Sequence, residues 1–589
     1  MRGQQAGNQS ATTQTNQTIV VTGTFVPVPL NESNRSVEAF DFCSEPLLYS
    51  SFVDYLSEDS SVDVQQREVD GEQADLSIRG SSFGQNLVLL NGLRLNDAQT
   101  GHHDLDLPFP LEALSGVEVL HGGGSLLYGA DAVGGAVNFV TSRPDSAELR
   151  VRLGGGNFGF NEQRAIASFR TDKVGERLAM SRDASAGFEA DRDYRNSSLS
   201  TETWTKTALG TSDILLSASD HPFGAGDFYG IFPSSERTKG WFGGLNQQLG
   251  SQTSVSFGYR RHSDEFILFR DDPSFYENNH ITQSWQADLR RHSNVGKIFG
   301  IAYGVTADGD QITSNNLGNH ARNRTAGYAN VDMRYFRRIS ASIGGREEIL
   351  SGGLSEFSPQ ATLSVWLRPS ARLRGSIGRG FRLPSYTDLY YQDPANIGNP
   401  LLKPEISWSL EGGFEWVLAR WVTASTTFFQ RRDQNDIDYV RDISTDPWRA
   451  ENIGHVVFNG LENSVQLTSK AQNEQLRISY TVIAASQQPL TGISEYVFNF
   501  PSHRATVTWI GRPMRVLSLS STLQVVQRYY TDPYALWSFA ASANSRHVRP
   551  FVQFFNLSST VYQEIPGVHM PGRSIVGGLE FDVSKAHHL

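Results

Sequence analysis

His102, His103, Asp104 and Asp106 stand almost side by side, and imidazole with carboxylate is the pairing that holds transition-metal ions or moves protons near neutral pH. On a strand the two histidines would face opposite ways. In a loop both could reach one ion; the competing reading is a polar loop without metal, and no metal ligand is assigned. Asp264, Asp271 and Asp272 read as the lining of a lumen or of an outer loop. No nucleophile, base and oxyanion donors converge by motif, so no catalytic residue is assigned either. The run from Gly154 to Gly159 fits G-x-G-x-x-G, but no helical pattern follows it and no later ribose-binding acid is evident, so a strand is the better reading. Cys43 is the single cysteine; it cannot form an intrachain disulfide and reads as a small buried residue.

The elements that must position these side chains are short and β-rich. Residues 76 to 141 hold three apolar runs, Asn86 to Leu90, Gly116 to Leu120 and Ala136 to Val140, each bounded by Gly, Asn or Asp, the pattern of small buried strands. The intervening glycines suit a domain made largely of turns. Ahead of it, Leu47, Leu48, Phe52, Val53 and Leu56 fall near one helical face over 46 to 56 and predict a short helix. Arg143-Pro144-Asp145 breaks the pattern and closes the domain.

Composition narrows the class of the remaining chain. A length of 589 residues predicts at least two domains. Mean hydropathy is -0.36 and no apolar run approaches the length of a membrane helix. A membrane barrel escapes that test, because each strand alternates lipid-facing apolar with lumen-facing polar residues. The net charge of -11 argues against nucleic acid as a partner. Alternation is sustained after residue 146: Val255, Phe257 and Tyr259 oppose Ser254, Ser256 and Arg260; Phe299, Ile301, Tyr303 and Val305 alternate with small or polar residues; and Trp408, Leu410, Phe414 and Trp416 alternate with Ser407, Ser409, Glu411 and Glu415. Trp366 interrupts the outward set Leu363, Val365 and Leu367 and reads as an interfacial residue.

Four ordered blocks in residues 76 to 141 resemble the plug domain of TonB-dependent outer-membrane receptors: Ile78-Arg79-Gly80, Leu87 to Gly92, Val117 to Gly122 and Leu127 to Asn138. After the third strand the family has Arg-Gly-Pro, where this chain reads His121-Gly122-Gly123-Gly124. Arg379 to Ser385 with Gly398 to Glu405 is similar to the family's mid-barrel signature, and Pro571 to Val583 to its closing strand, although Ser584 to Leu589 follow where the family stops at an aromatic residue. The resemblance implies an all-β transmembrane barrel of 22 antiparallel strands with an N-terminal α+β plug inside its lumen. The expected divisions are a periplasmic segment at 1–36, a plug at 37–145 and a barrel at 146–589. Spread over that barrel, each strand with its loop has about 20 residues, enough for a crossing of roughly 10.

Further expectations rest on the same resemblance. Gln17 to Gly23 resembles the TonB box, with Thr18, Ile19, Val20, Val21 and Thr22 as the segment gripped by a TonB-type protein of the inner membrane; β-branched residues in an extended, mobile tail suit pairing with a partner's strand. A first plug strand is the other reading of the same residues. Ligand contacts are expected from two apical plug loops, Ser81 to Asn86 and Asn96 to Asp104, with Ser82, Phe83, Gln85, Gln99, Thr100, His102 and His103 as candidates, and from the barrel loops Pro222 to Gly230 and Phe269 to His280, with Phe223, Phe228 and Tyr229. The implied function is import of a scarce large chelate, a ferric siderophore or cobalamin, by a monomer in the outer membrane. No permanently bound cofactor is expected, and any metal would arrive in the cargo. A barrel enzyme or adhesin, or a passive porin, is the alternative. Export requires a signal peptide, and residues 1–17 contain no apolar core, so a mature, truncated or late-called start is expected.

Overall fold

A computed structural model of the chain describes residues 19–20, 22–336, 338–487, 492–529 and 531–583. Its larger part is a closed antiparallel barrel of 22 long strands, from Glu148–Gly156 to Ser574–Asp582, with two further two-residue strands, Asn396–Ile397 and Ile493–Ser494, attached to its loops. The first and last strands close it, with Val151 opposite Phe581 and Leu153 opposite Leu579. No sheet edge is left open along the wall, which is what a strand in hydrocarbon requires.

The alternating pattern decides which way each side chain points. Phe257, Tyr303, Val305, Leu363, Leu373, Trp408, Leu410, Ile575, Leu579 and Phe581 all lie exposed on the outer wall. Their neighbours Arg260, Glu411 and Glu580 are buried inside. Trp366 sits among the inward set, where the Arg372 guanidinium lies 5.4 Å from its ring centroid. Connections at one end are short, such as 250–252, 369–370 and 515–516, whereas 383–404 and 556–573 at the other end are long. Short turns face the periplasm and long loops the exterior in barrels of this kind. Among the described residues no helix is long and apolar enough to cross a membrane.

The lumen holds the smaller part. β1 (Ile19–Val20) pairs with β2 (Val28–Pro29); β3 (Val37–Asp41), β6 (Asn86–Leu90), β7 (Leu93–Arg94), β8 (Gly116–His121) and β9 (Gly135–Val140) form one sheet in the order β3-β8-β9-β6-β7, and β4 (Val62–Gln66) pairs with β5 (Ala74–Ile78). The three apolar runs are β6, β8 and β9, buried nearly throughout. Val88, Val119, Val137 and Phe139 from the sheet pack on Leu56, Val62, Leu76 and Ile78. The expected helix over 46 to 56 is split into a 3-10 turn at Pro46–Leu48 and α1 (Phe52–Leu56), because Ser51 takes the N-cap with Asp54 completing a capping box. Gly135 permits the β8–β9 approach: a Cβ there would lie 2.2 Å from the Leu120 carbonyl oxygen.

Two expectations need correction. Cys43 is exposed rather than buried, because it follows the last residue pair of β3 and Asp41 turns the chain outward by accepting its N–H at 2.8 Å. The segment at 19–22 is not a free tail in its described part. Val20 is fully buried against Leu87, Leu120 and Ala136, and the Thr22 N–H donates to Glu118 at 2.7 Å while Asn138 donates to its hydroxyl at 3.0 Å. Thr18 and Val21 lie outside the described residues, as do Gln17 and Ser584 to Leu589.

Candidate functional site

Ser82 and Gln85 form a capping box around a 3-10 turn at Phe83–Gln85, which fixes the first apical loop. Thr100 caps the second at Gly101–His103. Gly101 and Gly84 let the two turns touch, since a Cβ on Gly101 would meet the Phe83 ring at 2.7 Å and the Gly84 backbone at 3.0 Å. The contact brings Phe83 and His102 together as stacked rings with centroids 4.1 Å apart. Tyr496, from the long loop before the strand Pro501–Met514, stands edge-on to Phe83 at 5.1 Å and to Tyr439 at 6.1 Å. An aromatic cluster thus spans plug and barrel on the long-loop side.

Charge supports this cluster from below. His102 Nδ1 lies 2.7 Å from Asp75, whose other oxygen accepts from Arg67 at 3.1 Å. Burial pushes the His102 imidazole down, outweighing the lift from Asp75. Burial acts the opposite way on Asp75, but Arg67 and His102 outweigh it and hold the carboxyl below its ordinary range.

The remaining candidates are placed differently. Gln85 is buried, and its amide donates to Glu405 at 2.9 Å and Asp436 at 3.3 Å, tying the plug to the wall. Gln99 is buried and donates to Asp264 at 2.7 Å. His103 is buried beside Glu236 and Asp264, turned away from His102. Phe223 and Phe228 pack with Leu47, Phe160, Tyr194 and Phe551 in an interior cluster; of the three aromatics named there, Tyr229 is the exposed one. The loop expected from Pro222 begins later, because Pro222 to Gly224 end the strand Gly210–Gly224, and Glu277 to His280 likewise belong to a strand. Asp271 and Asp272 lie in the exposed connection after Phe269. The Gly154–Gly159 run is strand and turn, followed directly by the strand Asn161–Arg170 and not by a helix. Tyr496 and Tyr439 carry no sequence signal beyond their aromaticity, because each lies in a segment without a motif.

Elsewhere in the plug, His121 has the connectivity of a hydrolytic relay. Ser36 Oγ lies 3.1 Å from Nδ1, and Asp59 Oδ2 lies 2.7 Å from Nε2. All three are buried, and Ser36 Oγ also accepts from Arg374 at 3.0 Å. A nucleophile must be reachable by its substrate, so this arrangement fastens β8 to the segment after α1 rather than attacking anything. On the short-turn side of the plug, cavities of about 550 Å³ and 560 Å³ open beside Asn91 and Arg94 and beside Thr24 and Asn34.

Residues 45–136 match the family model for the TonB-dependent receptor plug domain, and residues 170–562 match that for the TonB-dependent receptor-like β-barrel. The vitamin B12 transporter BtuB of Photobacterium profundum is 25% identical over 365 residues, 58% of this chain and 57% of that protein. An iron-regulated outer membrane virulence protein of Vibrio cholerae is 24% identical over 567 residues, 84% of this chain and 82% of the relative. Among solved structures, the siderophore receptor PirA of Acinetobacter baumannii superposes with a TM-score of 0.76 at 14% identity, over 93% of this chain and 98% of PirA. The ferric enterobactin receptor PfeA of Pseudomonas aeruginosa does so with a TM-score of 0.76 at 15% identity, over 96% of this chain and all of the other.

Proposed function

The chain belongs to the TonB-dependent receptors of the outer membrane, and from that premise we propose that it actively imports a large chelate, a ferric siderophore or cobalamin, using work delivered by an inner-membrane TonB-type partner. The observation that carries this reading is a plug enclosed by the barrel and fastened to it by buried ion pairs. Arg79 makes a two-pronged contact with Glu462 at 2.6 and 2.7 Å and a third bond to Glu411 at 2.9 Å. Parting such bonds leaves buried charge uncompensated, and a pull would supply the work that this costs.

The pull has a handle. Residues 18–22 precede the plug, and Val20 and Thr22 contact β6, β8 and β9 directly. Traction on this strand would be felt first at Glu118 and Asn138. The ligand face on the other side joins Phe83, His102 and Tyr496, rings suited to a bulky partly planar chelate. His102 adds a stacking face beside Phe83 there.

The trio of Ser36, His121 and Asp59 is sealed from any substrate and gives no support to the alternative of a barrel enzyme. Deleting residues 17–23 should leave ligand binding to purified receptor intact and abolish uptake in cells. Uptake undiminished in that mutant would end the energised mechanism. Growth of gene-deleted cells under iron limitation and under cobalamin limitation identifies the cargo class.

A further inference from the structure

We infer that His103, Glu236 and Asp264 form a binding site for one divalent transition-metal ion, Zn²⁺ by its donor set, which clamps the second apical plug loop to the barrel wall. The site is distinct from the chelate face, because His103 turns away from the ring cluster that His102 joins. His103 Nε2 lies 3.4 Å from Asp264 Oδ2 and 3.7 Å from Glu236 Oε1, and one donor atom from each residue lies within 4.8 Å of the other two. Ligands held about 2.0–2.1 Å from a tetrahedral zinc stand roughly 3.3 Å from one another, so the two distances from His103 need shifts of a few tenths of an ångström, and the two carboxylates, within 4.8 Å of each other, close on the ion by side-chain rotation. One imidazole and two carboxylates are a nitrogen and oxygen set of the kind zinc takes, with a position left for water.

A second observation points into the same space. Asp264 Oδ1 is buried and has no hydrogen-bond donor, and neither does the buried Gln99 Oε1, although Gln99 donates to the other Asp264 oxygen at 2.7 Å. A buried carboxylate oxygen with no donor, beside a second buried carboxylate, calls for a cation or a proton. The guanidinium of Arg67 is turned to Asp75 at 3.1 Å. Tyr229 covers the group from the exterior, its hydroxyl donating to Glu236 at 3.2 Å. The three ligands come from the plug and from the strands Ser235–Leu249 and Thr253–Ile267, so the ion would join parts of the molecule that the chain alone connects only through the turn at 141–147.

The test uses tag-free, full-length receptor in detergent, stripped with a chelator and titrated calorimetrically with Zn²⁺. One equivalent should bind, and the thermal transition should rise. Glu236→Gln and Asp264→Asn should each weaken binding by more than about a hundredfold, beyond the loss that altering a neighbour of a metal ligand usually brings. Wild type that takes up no zinc, or variants that bind as tightly as wild type, would overturn the assignment. Zinc X-ray absorption on loaded wild type needs no variant: a single imidazole among oxygen donors is expected, and two or more imidazoles would place the ion elsewhere and refute the site.

Discussion

Arg79 of the plug meets Glu411 of the barrel wall at 2.9 Å, with both side chains almost wholly withdrawn from solvent. Arg79 stands in a left-handed backbone conformation, φ 55°, followed by Gly80 at φ 71°, so the chain is bent sharply to aim the guanidinium at the wall. Its face also covers the Phe429 ring, 4.6 Å from the centroid. The Ile78-Arg79-Gly80 block is thus one of the points where plug and barrel are joined, with Gln85 at Glu405 and Asp436 another.

Removing one partner of a buried ion pair leaves the other charge uncompensated, at a cost of about 3–5 kcal/mol. Arg79→Ala takes the guanidinium from Glu462, while Glu411 keeps Arg374 at 3.5 Å and Arg35 at 3.7 Å, and the expected outcome is a plug that leaves the lumen at lower denaturant. Single-channel recording in planar bilayers checks this: the variant should begin to conduct at a lower urea concentration than wild type. Equal thresholds would mean that other contacts hold the plug.

The fold is legible in the sequence because its signals are periodic or local. Alternation in strands such as Thr253–Ile267 states which side faces lipid, and Gly, Asn and Asp mark the ends of β6, β8 and β9. The site is less legible because it depends on closure. Glu236 and Asp264 lie far from His103 in sequence, and only the wrapping of two barrel strands around the plug brings them to it. Nor does sequence say which face of a loop is inside: Phe223 and Phe228 read as ligand-facing aromatics and pack inward, while Tyr229 beside them is exposed. The same limit applies to Val20, whose β-branched neighbourhood fits a tail or a docked strand equally, and to Cys43.

The departure from the family pattern at His121 yields a pH dependence. Burial pushes the His121 imidazole down, but the Asp59 carboxylate at 2.7 Å outweighs burial and the net direction is up. Burial also pushes Asp59 up, and His121 with the Ser61 hydrogen bonds outweighs it, so the net direction there is down. The raised imidazole contributes stability that is complete below about pH 6.5, the unfolded value, and is lost as pH rises through its higher folded value. The depressed carboxyl contributes stability present above about pH 3.9 and lost as pH falls through its lower folded value. Hydrogen exchange in residues 116–121, corrected for intrinsic pH dependence, should therefore show protection declining as pH is raised above neutrality, and His121→Gln should remove that decline. A wild-type profile flat across this range would show that the pair does not stabilise β8.

The ring cluster makes a prediction about cargo. If a chelate stacks on Phe83 and Tyr496 together, each aromatic adds about 0.5–1.5 kcal/mol beyond its buried area, and Phe83→Ala or Tyr496→Ala should weaken binding by at least roughly 2- to 13-fold. Calorimetry with purified receptor and a panel of ferric siderophores and cobalamin measures this directly. Because Phe83 and Tyr496 also touch each other at a centroid distance of 5.1 Å, losing either ring loosens the other, and the double variant should lose less than the sum of the single losses. Full additivity would mean that the rings act on separate parts of the ligand. No loss in either single variant, with an unaltered thermal transition, would remove this cluster from the binding face and leave the exposed Tyr229 and its loop as the contact that remains.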